Sequence, residues 1–327
     1  MNETDATLHI VPLGTAYLHA PYISDTLIKC IEEQKRLGKK TLIFYNRRGN
    51  ARAYICKDCG HYDRCPHCDI ALAFHSENGH KLICHQCSTK MEVPISCSSC
   101  NGNQFIHVGV GIQRIENDLI RLLSPSYSII RIDSDRDGTA REICESLATV
   151  DVILATSRAI SLTQDDIGAV FFLLFEINLS IPEYDIEEST YAEISYFKRK
   201  KLPIYIQTYT PDHPLLDEIL SGNHRSFIEY IQRERRTFLY PPFTDLATLR
   251  VHDENKDKVT HLVNHLINKM KIVKQESTQI VYDTDIWEKS RGEWIQKIVM
   301  RDTNLSYLIH HLEVEIVRNR AVTLEWS

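Results

Sequence analysis

The sequence has 327 residues, of which 43% are apolar and 25% charged, as is typical of a globular protein with about two domains and not of a disordered or fibrous one. Its net charge of -6 means that any nucleic-acid site must be a local basic patch on an acidic body. No apolar run approaches the roughly 20 residues that span a bilayer, and residues 1–5 are acidic, unlike a secretory signal, so we expect a cytoplasmic protein without membrane contact.

The chain starts with a lead-in, residues 1–25, whose short apolar stretch at 8–13 is predicted to be a strand or a linker. A helix is predicted from Ser24 to Gly38, because apolar residues recur at near-helical spacing between a capping residue and a terminating glycine. A short apolar run at 41–45 then predicts a buried strand.

The same alternation recurs beyond a cysteine-rich block. Strands are predicted at 105–110, 129–132, 152–155, 169–175 and 204–209, and helices at 112–123, 140–148 and 187–197. Continuously apolar strands that alternate with helices favour a parallel sheet covered on both faces. The sequence therefore predicts an α/β domain, with the cysteine block inserted between its first and second strands.

A different pattern begins near Tyr240-Pro241-Pro242-Phe243. Strands are predicted at 247–252, 279–282, 294–300 and 321–326, and helices at 256–273 and 304–312. This βαββαβ order is typical of a split-βαβ, ferredoxin-like domain, which we expect at the C-terminus.

Eight of the ten cysteines form four Cys-x-x-Cys pairs: Cys56/Cys59, Cys65/Cys68, Cys84/Cys87 and Cys97/Cys100. Two residues between thiolates let one turn present both sulfurs to a tetrahedral ion, and two such turns complete a Cys₄ zinc site. Because disulfides need an oxidising compartment, metal is the better interpretation, with reduced structural or redox cysteines as the alternative. We expect two closed structural zinc sites per chain.

Spacing favours a nested arrangement of the four pairs. Fifteen residues separate the second pair from the third, within the usual range, whereas only five separate the first from the second. The expected groups are an inner one of Cys65, Cys68, Cys84 and Cys87, and an outer one of Cys56, Cys59, Cys97 and Cys100. A cross-braced arrangement is the alternative.

Several strings along the chain follow an order that resembles a known family. They are Asn46-Arg47-Arg48-Gly49 after a strand, the eight-cysteine block, Arg131-Ile132-Asp133-Ser134-Asp135, Gln207-Thr208-Tyr209 with Asp212-His213-Pro214-Leu215-Leu216, and Tyr240-Pro241-Pro242-Phe243. The order resembles the bacterial primosomal protein N′ (PriA) family of superfamily 2 replication-restart helicases.

The resemblance implies a fold for most of the chain. It implies that residues 26–235 are a second RecA-like helicase lobe, interrupted at 52–104 by the zinc module. It further implies that residues 236–327 are a C-terminal α+β domain that engages branched DNA, in which Lys289-Ser290-Arg291-Gly292-Glu293-Trp294 looks like a basic hairpin turn.

The chain departs from the family where nucleotide would bind. A helicase motor needs a G-x-x-x-x-G-K-[ST] loop and an acidic magnesium ligand, and Gly38-Lys39-Lys40-Thr41 lacks the upstream glycine and precedes its strand. The family's G-R-x-G-R segment is replaced by residues 194–201. We expect a degenerate form without the first lobe, with no catalytic residues, no ATP or Mg²⁺ site, and zinc as its cofactor.

The candidate DNA contacts form four basic clusters. They are Arg47 and Arg48; Lys198, Arg199, Lys200 and Lys201; Arg235 and Arg236; and Lys289 and Arg291. Ordinary exposed turns are the alternative for the second and fourth clusters.

Three functions are compatible with these residues. The first is a PriA-like protein that binds forked or single-stranded DNA without motor activity; the second is a 3′–5′ helicase whose first lobe is supplied separately. The third is a zinc-stabilised protein-interaction module. The resemblance implies single-strand binding protein and primosome components as partners.

Overall fold

The computed structural model describes residues 8–46, 53–75, 80–84, 89–108, 110–123, 125–133, 147, 149–156, 166–179, 181, 183–282, 287–290 and 292–326. The chain divides into two compact units. The first consists of Met1–Cys65, Ile70–Ile83 and Met91–Phe227, and the second of Pro66–Asp69, Cys84–Lys90 and Ile228–Ser327.

The strands are numbered in chain order. They are β1 (Leu8–Pro12), β2 (Leu18–Ala20), β3 (Ile23–Ser24), β4 (Lys40–Phe44), β5 (Ala53–Cys56), β6 (Ala73–His75), β7 (Lys81–Ile83), β8 (Lys90–Glu92), β9 (Phe105–Val108), β10 (Ile129–Ile132), β11 (Val152–Ala155), β12 (Ile167–Phe172), β13 (Ile204–Thr208), β14 (Asp245–Asp253), β15 (Gln279–Tyr282), β16 (Glu288–Ser290), β17 (Glu293–Asp302) and β18 (Val322–Trp326).

The helices are numbered in the same way. They are α1 (Asp25–Arg36), α2 (Ile112–Leu123), α3 (Phe175–Leu179), α4 (Ile186–Arg199), α5 (Pro214–Ser221), α6 (His224–Thr237), α7 (Lys256–Val273), α8 (Ser306–His311) and α9 (Glu313–Arg318). Within the described part of the chain, no helix is both long and apolar enough to cross a bilayer.

The first unit is built on a six-stranded parallel sheet in the order β1-β13-β12-β4-β11-β10. Every residue of β4, β11 and β12 is buried, as expected for central strands covered on both faces. The predicted α/β class and parallel sheet are confirmed. Helix α1 begins where expected, because the Ser24 hydroxyl accepts from the Leu27 N–H (3.1 Å), and Gly38 follows it with φ +68°.

Two strand predictions differ from the structure. The strand at 105–110 does not join the main sheet: β9 pairs with β5 in an antiparallel ribbon, and β4 has β11 and β12 as its neighbours. The prediction is wrong because apolar composition gives no information on which strand is the partner. The strand predicted at 169–175 ends at Phe172, and α3 starts at Phe175 after Leu174 with φ +55°.

Two further predictions, the stretch at 8–13 and the helix at 140–148, have different outcomes. The apolar stretch at 8–13 is an edge strand of the main sheet, where β1 pairs with β13. The helix predicted at 140–148 lies, apart from Leu147, outside the described residues. Helices α5 and α6, which the sequence analysis did not predict, follow β13.

The second unit contains an antiparallel sheet in the order β15-β17-β14-β18, with β16 added on β17. Helix α7 lies on one face of it and buries Val263 and Met270 against Leu249, Ile298 and Met300. The strands and helices follow the predicted βαββαβ order, with β16 as an additional strand before β17 and α9 as an additional short helix after α8. Its strands and α7 lie within a few residues of the predicted bounds.

Candidate metal centre and basic clusters

Each of the four Cys-x-x-Cys turns has the same backbone hydrogen bond. The N–H of the first cysteine donates to the carbonyl oxygen five residues later. The four bonds are Cys56 to His61 (2.8 Å), Cys65 to Ile70 (2.9 Å), Cys84 to Thr89 (2.9 Å) and Cys97 to Gly102 (2.7 Å). The sequence repeat therefore corresponds to a repeated local structure that closes each turn around its thiols.

Three of these turns share a left-handed residue, four positions after the first cysteine. The residues are Gly60 (φ +72°), Asp69 (φ +54°) and Asn101 (φ +60°). Glycine, asparagine and aspartate are the residues that accept this conformation at least cost. A Gly, Asn or Asp four positions after the first cysteine is therefore a further signal of these turns in the sequence. The equivalent position of the third turn, residue 88, lies outside the described residues.

The outer group brings four sulfurs together. The Sγ atoms of Cys56, Cys59, Cys97 and Cys100 all lie within 4.8 Å of one another. Cys56 and Cys100 are 3.6 Å apart, as are Cys59 and Cys97. A disulfide requires about 2.05 Å. Four sulfurs at ~2.3 Å from a central zinc would stand about 3.8 Å apart, so these spacings fit a tetrahedral metal–thiolate site.

Backbone amides donate to two of the outer sulfurs. The N–H of Ser99 donates to Cys97 Sγ and that of Gly102 to Cys100 Sγ, each at 3.4 Å. Burial opposes ionisation of Cys97, yet hydrogen bonds from the backbone N–H groups of Cys100 and Ser99 and from the Cys59 and Cys100 side chains lower the pKa of this thiol. At Cys56 and Cys59 burial has the larger effect and raises the pKa. Such donors stabilise thiolate, the form that binds metal.

The inner group lies at Cys65, Cys68 and Cys84, whose Sγ atoms are within 4.8 Å of one another and whose side chains are buried. Cys87, the fourth residue predicted for this group, lies outside the described residues. The grouping follows the nested arrangement, since Cys56 shares a cluster with Cys97 and not with Cys84.

A buried arginine lies beside the inner group in the second unit. Arg301 Nη2 donates to Cys68 Sγ at 3.6 Å, and the Arg301 guanidinium lies 4.4 Å from the centre of the Tyr240 ring. The Tyr240 hydroxyl donates to the Cys68 carbonyl (3.1 Å), and burial raises the pKa of this phenol. Sequence analysis missed Arg301; its only signal is a basic residue at the end of an apolar strand.

The cysteine block contacts helix α4 and the N-cap of α5 within the first unit. Arg64 pairs with Glu187 (3.0 Å), and Tyr62 Oη lies 3.4 Å from His213 Nε2. His213 Nδ1 accepts from the Leu215 N–H (3.2 Å) as the N-cap of α5, so in the neutral ring Nε2 carries the hydrogen and donates to Tyr62. Burial lowers the pKa of His213.

Gly60 lies directly against the chain that follows β13. A Cβ built on Gly60 would overlap the Tyr209 carbonyl and the Thr210 side chain. That segment is itself fixed by the buried carboxylate of Glu176, whose Oε1 accepts from the N–H groups of Tyr209 (2.6 Å) and Thr210 (2.9 Å). The first cysteine turn therefore lies on a rigid support.

The cluster at residues 198–201 lies at the C-terminal end of α4. Lys198 Nζ donates to the Ile219 carbonyl (3.0 Å), and Lys200 Nζ lies 5.2 Å from the centre of the Tyr196 ring. Arg199, Lys200 and Lys201 are exposed. Cations here also complement the negative end of the helix dipole, so their position has a structural reason as well.

The other basic residues have different surroundings. Arg235 Nη1 donates to the Pro241 carbonyl (2.7 Å), and Arg236 is exposed and lies over the Phe243 ring at 4.7 Å. Lys289 is on β16, which pairs with β17. Arg47, Arg48 and Arg291 lie outside the described residues.

Comparison with known proteins gives a consistent set of relatives. Over 244 residues the chain is 31% identical to "Replication restart protein PriA" of Bacillus subtilis, covering 71% of this chain and 30% of that protein. The protein of the same name from Chlamydia trachomatis is 31% identical over 240 residues (69% and 32%), and that from Haemophilus influenzae 26% over 260 residues (75% and 35%).

The chain thus spans about a third of the length of these relatives. No family model matches the sequence. Among solved structures, two de novo designed proteins, Foldit4 and Ferredog-Diesel, are similar to 26% of the chain, but their TM-scores of 0.21 and 0.20 are too low to support an argument about fold. On the evidence of its relatives, the chain belongs to the PriA family of replication restart proteins.

Proposed function

We propose that this chain is a DNA-binding protein of replication restart that recognises forked or single-stranded DNA in the cytoplasm and does not itself hydrolyse ATP. The observation that carries the proposal is the 31% identity to PriA proteins over about 70% of the chain. The four cysteine turns of this chain, which share one backbone hydrogen bond, support it. Single-strand binding protein and primosome components are its proposed partners.

The proposed architecture is that of two PriA domains. The six-stranded parallel sheet would be the second RecA-like lobe, interrupted by the cysteine block. The C-terminal sheet would be ferredoxin-like; counting β14, β15, β17 and β18 as strands one to four, its spatial order is 4-1-3-2, which supports this assignment.

Zinc is the proposed cofactor, with one ion in each cysteine group. All ligands would be thiolates and both groups closed, so the metal would hold structure and leave no open position for water. The outer ion would be held by Cys56, Cys59, Cys97 and Cys100, and the inner one by Cys65, Cys68 and Cys84 with Cys87.

DNA contact is proposed for the basic clusters, with the exposed residues at the end of α4 as the best-supported group. Phosphate contacts by lysine and arginine release counterions, so they make affinity fall with salt. The four predicted clusters would provide such contacts on a chain whose net charge is -6.

The test is binding of a labelled fork by anisotropy across a salt series. The variant Arg199→Gln with Lys201→Gln should bind more weakly, and the slope of log K against log salt should fall by about one for each lost phosphate contact. The control is Lys29→Gln with Arg36→Gln, which removes the same charge from α1, where Asp25 and Glu33 pair with these residues.

Three outcomes would contradict the proposal. Equal weakening by both double variants would indicate bulk charge and not a site. No binding at any salt would favour the protein-interaction module. ATP turnover by the purified chain with fork DNA would favour the helicase.

A further inference from the structure

Arg301 is a charged side chain in an apolar setting. It lies on β17 opposite Leu246 of β14, next to the core residue Met300, and is only 7% exposed. Taking a guanidinium out of water is costly unless it is paired and hydrogen-bonded. Its neighbours must therefore account for its presence.

Those neighbours include no carboxylate. Among the described residues, no Asp or Glu lies within ion-pair distance of the Arg301 guanidinium. Its contacts are the Tyr240 ring, the Phe238 carbonyl (3.4 Å) and Cys68 Sγ (3.6 Å). The adjacent Asp302 carboxylate accepts instead from Ser277 and Thr278.

A neutral thiol would be a poor partner for this charge. A thiol sulfur is only a weak acceptor, whereas a metal-bound thiolate is an anion. The three thiolates of Cys65, Cys68 and Cys84 around one divalent zinc already leave a net charge of -1 on the group. A metal-loaded inner group would thus provide the anion that Arg301 otherwise lacks.

We propose that Arg301 is the counter-charge of a metal–thiolate group at Cys65, Cys68 and Cys84, and that it couples metal in this group to the stability of the C-terminal sheet. The inference rests on the proposed zinc binding. Arg301 acts as a positioning residue that does not ligate the metal, through its hydrogen bond to Cys68 Sγ.

Tyr240 reinforces this arrangement. Its ring lies under the guanidinium, and its hydroxyl donates to the Cys68 carbonyl. Residues 66–69 belong to the same compact unit as the C-terminal sheet, so the turn carrying Cys68 is packed as part of that unit. Linkage is reciprocal: if metal stabilises the sheet through Arg301, Arg301 must equally raise the affinity of the group for metal.

The experiment measures metal release from the full chain into a chromophoric chelator, in a Cys100→Ala background that removes the outer group. Metal content of the unaltered chain is measured first. Substitution of residues that hydrogen-bond to metal ligands typically costs roughly 10–100-fold in affinity, so Arg301→Met should release the inner ion at least about tenfold faster. Arg301→Lys, which keeps the charge, should stay within about threefold of the unaltered rate.

The matched control is Arg250→Met on neighbouring β14, where the arginine pairs with Glu325 at the surface; its release rate should not change. Arg301→Gln replaces Arg301→Met if the latter does not fold. The second measurement is the unfolding midpoint with and without the inner ion. Removing the ion should lower the midpoint less in Arg301→Met than in the chain that retains Arg301, because only the latter is left with an unpaired buried charge.

The outcomes separate the inference from the proposed function. A wild-type chain without metal would overturn both. Two metal ions in the wild type, with wild-type release from the neutral variants, would overturn the role of Arg301 alone. If Arg301→Lys released metal as fast as Arg301→Met, the positive charge would not be what retains the metal. That result would also overturn the proposed role of Arg301.

Discussion

At the scale of single residues, His213 contacts helix α5 through one ring nitrogen and the cysteine block through the other. Nδ1 accepts from the Leu215 N–H, and Nε2 faces Tyr62. Protonation of Nδ1 removes its acceptor lone pair, and burial already lowers the pKa of this ring below its ordinary value of 6.5.

The first prediction is an acid-sensitive contribution from His213. The unfolded chain binds this proton more readily than the folded one, so the contribution is complete above pH 6.5 and is lost as pH falls through the lowered folded pKa. His213→Asn keeps a capping side chain that cannot titrate in this range. Denaturant unfolding against pH should therefore be less pH-dependent in this variant.

The control for this prediction is His261→Asn, at an exposed position on α7. It should leave the pH profile unchanged. Metal ligands also gain protons in acid, but that effect is common to all three proteins and cancels in the comparison. Identical profiles for His213→Asn and the wild type would contradict the assigned role.

At the scale of elements, the cysteine turns depend on backbone conformation as much as on sulfur. The second prediction concerns Gly60. Gly60→Ala should lower the free energy of unfolding of the α/β unit by about 1–3 kcal/mol through the backbone strain of alanine at φ +72°. The overlap of its Cβ with the Tyr209 carbonyl should add to this loss. Urea unfolding measures the loss.

Gly38→Ala is a matched control for Gly60→Ala. Gly38 has a similar φ of +68°, but a Cβ there would meet nothing within 4 Å. It should cost only the conformational strain, so the difference between the two variants isolates the overlap at Tyr209. Equal losses would show that the overlap with the Tyr209 carbonyl adds no cost at Gly60.

The elements also show what sequence can and cannot predict. Helix α2 and strands β10 and β11 have the predicted bounds, because local periodicity and capping decide where such elements begin and end. The partner of β9 was mispredicted, since pairing depends on residues far apart in the chain. Helix α6 was not predicted because its residues are mostly polar or charged and only Phe227 is buried, so the apolar periodicity that indicates a helix is weak.

The candidate metal groups were predictable for the same reason of local spacing. The Cys-x-x-Cys pairs and the number of residues between them indicate the nested groups from the sequence alone. Arg301 could not be found in this way, because it lies 233 residues from Cys68 in sequence and only the packing of β17 brings the two together.

At the scale of the whole molecule, the third prediction is metal dependence. Elemental analysis of the purified chain should give two zinc ions, and a strong chelator should unfold the cysteine block, since binding contributes on the order of 10–16 kcal/mol per structural zinc in small modules. Circular dichroism should show loss of the block while most of the six-stranded sheet remains.

Cys100→Ala is the corresponding variant, since Cys100 belongs to the outer group alone. It should reduce the metal content from two ions to one. One ion in the unaltered chain, or a variant that still holds two, would contradict the nested assignment.

The antiparallel ribbon of β5 and β9 has a consequence for the architecture as a whole. Because Ala53 pairs with Val108 and Cys56 with Phe105, the chain leaves and re-enters the α/β scaffold at adjacent points. The ribbon joins the two ends of the cysteine block. Its backbone hydrogen bonds offset the entropy cost of closing the long loop between them. The number of residues between Cys56 and Phe105 can therefore change without moving the points at which the chain leaves and rejoins the α/β domain.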